Sequence, residues 1–150
     1  MKTLNLKLIL AAAAAALALI AAGCGGDDED SGPPLTEEEF IAQGDEICSQ
    51  GDEELTVAAE EQFGSTDEAP PRDEQEQFIS EVVAPNFEQQ LEDLRALNPP
   101  EEDSEQIDEL LGALDELVQA ARDDPGAVLD GEVTEASELA QEYGFTACGS

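Results

Sequence analysis

The chain has 150 residues, with 38 Asp and Glu against five Lys and Arg, no His and no Trp, for a formal charge of −33. So acidic a chain lacks the basic footprint that nucleic-acid binding requires, and without His it has neither imidazole catalysis nor His-ligated metal sites. The length suits one domain with a modest core.

The first segment reads as a leader. Lys2 and Lys7 are followed by an uncharged apolar run of 15 residues, Leu8 to Ala22. A spanning helix takes about 20 residues, so the run and its flanks fit a secretory signal peptide over residues 1–23. It ends in Ala21-Ala22-Gly23-Cys24, which resembles the bacterial lipobox, although Ala21 stands where Leu is commoner. In a lipobox the Cys is lipidated and becomes the new N-terminus; ordinary cleavage with Cys24 incidental is the plain alternative. Several acyl chains on Cys24 would anchor the protein stably, whereas one chain is marginal. That address is the extracytoplasmic face of the bacterial cytoplasmic membrane.

Every acid lies after position 23 and both lysines before it, so residues 24–150 set Arg72, Arg95 and Arg122 against all 38 acids, a formal charge near −35. Such a surface is repelled by anionic headgroups, which leaves membrane binding to the anchor. Residues 24–34 are Cys, Gly, Asp, Glu, Ser and Pro, and read as a solvated acidic tether. Within it, Asp27, Glu29, Ser31, Gly32 and Glu38 fall in a calcium-loop spacing. Glu at the third position, Pro33 and Pro34 inside the loop and the lack of an entering helix favour a plain spacer.

With Cys24 lipidated, Cys48 and Cys148 remain. An exported pair reads as a disulfide, because two Cys without His make a poor zinc site and a redox pair would stand two residues apart.

Helix signals then follow one another along residues 35–150. Thr36 with Glu39 three residues on is a capping box. The helix it opens carries Phe40, Ile41, Ile47, Cys48, Leu55, Ala58, Ala59 and Phe63 at helical spacing up to Gly64, with Gly44 and Gly51 inside as candidate close-approach points. After a loop with Pro70-Pro71, a second helix spans about Asp73–Leu97, with Phe78, Ile79, Val82, Val83, Phe87, Leu91, Leu94 and Leu97 on one stripe and Pro85 predicting a kink or break. The third carries Ile107, Leu110, Leu111, Leu114, Leu117, Val118 and Ala121. It has acids in its first turn and Arg122 in its last, and Asp124-Pro125-Gly126 stops it. A fourth, about Glu132–Tyr143, turns Val133, Ala136, Leu139, Ala140 and Tyr143 inward, and Gly144 ends it. No stretch alternates with period two. The expected fold is an all-α, antiparallel four-helix bundle stapled by Cys48–Cys148.

The lipobox at Cys24, Phe40-Ile41-Ala42-Gln43 with Ile47-Cys48, Val82-Val83-Ala84-Pro85-Asn86-Phe87 with Leu94-Arg95-Ala96-Leu97-Asn98-Pro99-Pro100, and the closing Tyr143-Gly144-Phe145 with Cys148-Gly149 together resemble a set of small, mostly uncharacterised lipoproteins of actinobacteria. The resemblance spans most of the mature chain. It implies an exported helical domain with a Cys pair and brings no catalytic residues.

No Ser or Cys nucleophile has a His or Lys base, no glycine-rich phosphate loop opens a helix, and the Glu-x-x-His of a di-iron bundle is missing. Close carboxylate pairs arise by chance among 38 acids, so none marks a site. The reading is a non-enzymatic binding module without cofactor or metal. Its membrane contact is the lipid anchor, and charge favours a basic envelope protein or peptide as partner. Two alternatives stand beside it: an acidic envelope protein that holds diffuse cations, and, more remotely, a carboxylate-based enzyme. Arg95, between Leu94 and Leu97, is a buried ion-pair anchor, a ligand contact or, as the plainer reading has it, a rim cation bridging neighbouring carboxylates. Tyr143 and Phe145 read as a cap on the bundle.

Overall fold

A computed structural model describes residues 33–64, 69–131 and 134–148. The leader, Cys24, residues 25–32 of the tether with most of the calcium-like spacing, and Glu132 and Val133 lie outside the described residues. Those described contain helices and no strand.

Helix α1 (Glu37–Phe63) begins as a capping box: the Thr36 hydroxyl accepts from the Glu39 N–H, and the Glu39 carboxylate accepts from the Thr36 N–H at 3.0 Å. The backbone and hydroxyl hydrogen bonds from Thr36 hold the Glu39 carboxyl below its ordinary range. Gly64, at φ 69°, closes the helix by donating its N–H to Glu60 O. A residue with a side chain rarely adopts that backbone. The buried stripe of α1 is Phe40, Gly44, Cys48 and Gly51. Ile41, Ile47, Leu55 and Phe63, expected on the same face, are only half-buried.

The expected second helix is three consecutive segments: α2 (Arg72–Phe78), a π-helical turn (Ile79–Val83) and α3 (Ala84–Ala96). Pro85 explains the turn. It has no N–H to donate, and its ring crowds the carbonyl four residues back; widening the preceding turn relieves both, and Ala84 N–H reaches back to Ile79 O. The chain stays helical throughout.

A 3₁₀ turn at Glu101–Asp103 leads into α4 (Ser104–Asp123). Asp124-Pro125-Gly126 does end α4, but it also starts another helix, α5 (Pro125–Leu129), beyond the four expected. Asp124 caps it by accepting from the Ala127 N–H at 3.2 Å, and Pro125 occupies the first helical position. Val128 and Leu129 of α5 then cover Ile79, Ala84 and Ala121 where the π turn meets α4. The last helix, α6 (Glu135–Tyr143), ends at Gly144 with φ 112°.

Two clusters form the core. The larger joins Phe40, Ile107, Leu110, Ala140, Tyr143 and Phe145, with Phe40 and Ile107 each 1% exposed. The rings of Phe40, Tyr143 and Phe145 meet at 5.5–5.9 Å between centroids, separations at which aromatic quadrupoles attract. Tyr143 and Phe145 are therefore interior groups, and the Tyr143 hydroxyl donates to Asp103 at 3.0 Å. Burial first, then this bond and the Asp103 and Glu37 charges, push the phenol above its ordinary pKa.

The three arginines tie the helices together. Arg72 of α2 donates two bonds to the Asp130 carboxylate and one to Glu76. Arg95 of α3 reaches Asp115 of α4 at 3.5 Å, and Arg122 of α4 reaches Glu88 of α3. Numbers rising along α3 thus meet numbers falling along α4, so the two run antiparallel. Arg95 thus lies half-exposed at the rim between α3 and α4, facing Asp115. All these pairs are half-exposed, so solvent screening keeps the contribution of each small.

Candidate functional site

The Cys48–Cys148 disulfide joins the middle of α1 to the tail after α6, with Cα atoms 5.1 Å apart. A second fastening lies one helical turn earlier. The Asp45 carboxylate accepts from the N–H groups of Thr146 (2.9 Å) and Ala147 (2.8 Å) and from the Thr146 hydroxyl (2.6 Å). Burial would raise the Asp45 pKa, but the Thr146 hydroxyl and the N–H groups of Ala147, Thr146 and Cys148 outweigh it and hold the carboxyl below its ordinary value.

A carboxyl with a lowered folded pKa adds stability that is present above its unfolded pKa of about 3.9 and lost as pH falls through the folded value. Asp45→Ala should cost about 1–2 kcal/mol at pH 7, discounted for the partly exposed setting. The gap between wild-type and variant unfolding free energies, from urea titrations, should narrow as pH drops below about 4. A gap independent of pH would remove Asp45 as a charged fastening.

Beside the disulfide the helices leave a pocket of about 90 Å³. Cys48 and Asp52 of α1 form one wall; Phe87, Gln90 and Leu94 of α3 and Leu110, Leu114 and Leu117 of α4 form the next. Ala136, Ser137 and Ala140 of α6 and Phe145, Ala147 and Cys148 of the tail complete it. Phe87, Leu114 and Leu117, which read from sequence as core, are half-buried because they face this space. Gln90 is buried and donates to Asn86 Oδ1 at 2.6 Å, so its amide is held against the wall. Asp52 is the one carboxylate among the lining residues and sits at the exposed rim. Its carboxylate has no hydrogen bond or ion pair among the described residues, and partial desolvation raises its pKa.

Neither Asp45 nor Asp52 stands out in the sequence, where each is one acid among 38. No group of three or more His, Cys, Asp or Glu is placed to hold a metal among the described residues, and no described helix is long and apolar enough to cross a membrane. No family model matches the chain, and no curated protein and no solved structure matches it.

Proposed function

We propose that the chain is an extracytoplasmic binding module, tethered to the bacterial cytoplasmic membrane through lipid on Cys24, and that its helices form one antiparallel four-helix bundle closed by the disulfide. The observation that carries the binding role is the pocket of about 90 Å³ where α1, α3, α4, α6 and the tail converge, apolar except for a few polar groups. Pockets of that composition are where small ligands and partner side chains settle. The surface charge near −35 selects for basic or cationic partners and speeds their encounter.

The test is native crosslinking in membranes, with a Cys24→Ala chain as control. The expected result is one enriched basic envelope component, recovered with the wild type and lost when the anchor is removed. Recovery of bulk membrane proteins alone, or of the same set with both chains, would overturn the reading.

A second reading has its own observation. All three arginines are engaged with acids inside the fold, so the remaining carboxylates are neutralised only from solution. On that reading polyvalent cations stabilise the protein in order of charge and not of identity. One saturable calcium isotherm surviving physiological monovalent salt would refute it.

A further inference from the structure

We propose that the pocket beside the Cys48–Cys148 bridge takes a short aliphatic chain ending in an ammonium group, with the chain inside and the ammonium at Asp52. This deepens the binding-module reading and rests on it.

Three observations converge on that ligand. The lining is dominated by Phe87, Leu94, Leu110, Leu114 and Leu117 beside the disulfide, surfaces that offer an alkyl chain mainly dispersion contacts. The space of about 90 Å³ is about three-fifths of the ~150 Å³ cavity known to take benzene, a six-carbon ring. A three- or four-carbon chain therefore fits where an aromatic ring does not.

The head group follows from charge. Asp52 is the one acid of the lining, and it has no partner among the described residues. Arg72, Arg95 and Arg122 are held by Asp130 and Glu76, Asp115 and Glu88, so no described cation of the protein serves it. A ligand cation at the rim supplies what the fold does not. The same charge, within a surface near −35, turns away a chain with a carboxylate or phosphate head. A free alkylamine and the amino-terminal aliphatic residue of a peptide share this chemistry.

The test is a chemical-shift titration of the ¹⁵N-labelled protein at 0.15 M salt with n-butylammonium, methylammonium, n-butanol and butyrate, and with an amidated dipeptide beginning in Leu. Each buried methylene should strengthen binding about fourfold, so butylammonium should bind roughly 50-fold more tightly than methylammonium, with shifts centred on Asp52, Leu114 and Ala136. Butanol should bind about fivefold more weakly than butylammonium, and butyrate more weakly still. Asp52→Asn, a rim substitution that leaves the core alone, should bring butylammonium to the level of butanol and leave butanol unchanged. Leu114→Phe, which fills the space, should abolish both. The dipeptide matching or exceeding butylammonium identifies a peptide source; weaker binding identifies a free amine. Equal binding of butylammonium and methylammonium would show surface charge alone, and equal binding of butylammonium and butanol would show a greasy cavity that ignores cations; either overturns the proposal. A crosslinked envelope partner with a pocket silent to these probes removes this proposal and leaves the module reading standing, whereas pocket binding without a crosslinked partner does the reverse.

Discussion

Removing the Cys48–Cys148 bridge, by reduction or as Cys48→Ala with Cys148→Ser, should lower the unfolding free energy by about 3–4 kcal/mol and the melting temperature by about 10–20 °C. The bridge spans a sequence separation of 100 residues, and the chain-entropy model assigns a loop of that length about 4.7 kcal/mol, of which real bonds commonly deliver less. A domain of this size is stable by only about 5–15 kcal/mol, so the bridge is a large share of the total. It acts in a protein with few positive charges to offset its acids, so the loss should grow at low salt, where self-repulsion is least screened. The native fold should nevertheless survive reduction under mild conditions. The tail remains held by the Asp45 carboxylate and by Phe145, which is 3% exposed between Phe40 and Tyr143. Paired thermal melts by circular dichroism, with and without reductant and at two salt concentrations, measure this directly. Superimposable curves would mean that the bridge adds nothing and that Asp45 and Phe145 alone hold the tail.

The bridge is legible in the sequence because setting Cys24 aside as the expected lipidation site leaves two cysteines, which an expected export signal pairs. The helix ends are legible because capping is local: Thr36 with Glu39, Gly64 and Gly144 each act within a few residues of themselves. Pro85 announces an interruption, and only the packing decides that it is a widened turn rather than a break. The buried face of α1 is harder to read, for a physical reason. At Gly44 and Gly51 the helix leaves no room for a Cβ beside Phe145 and Gln90, and a glycine adds nothing to a hydrophobic stripe, so the pattern drifts toward Ile41, Ile47 and Leu55. Helix α5 has a visible signal in Asp124-Pro125, which both stops one helix and starts another; a proline taken only as a breaker hides it. The pocket has no signal at all. Phe87, Leu114 and Leu117 repeat at core spacing whether or not the stripes of α3 and α4 meet α6, and the gap between them exists only in three dimensions.

Substitutions at three glycines should separate these effects, with Gly44→Ala losing about 2 kcal/mol. A Cβ at Gly44 would lie 2.4 Å from Phe145 Cε1 and 3.2 Å from Leu94 Cδ2. Phe145 cannot step aside, because Phe40 and Tyr143 lie against its ring and the bridge at Cys148 fixes the chain three residues on. Overpacking of this kind costs about 1–3 kcal/mol, occasionally more, and exceeds the gain of about 1 kcal/mol that alanine brings to a helix interior. At Gly51 the obstacle is softer. A Cβ would meet the Gln90 amide at 2.1 Å, and that side chain can turn away if it gives up its bond to Asn86 Oδ1, so Gly51→Ala should lose about 1 kcal/mol. At Gly112, inside α4, a Cβ would have nothing within 4 Å; Gly112→Ala should therefore gain up to about 1 kcal/mol. Urea unfolding of the three variants should rank Gly112→Ala above wild type, then Gly51→Ala, then Gly44→Ala. Gains at all three positions would mean that helix propensity governs and that α1 does not lie as close to α3 and the tail as the structure places it. A loss at Gly44 with gains at the other two would confine the close approach to Phe145 and free Gln90 from its role as a wall of the pocket.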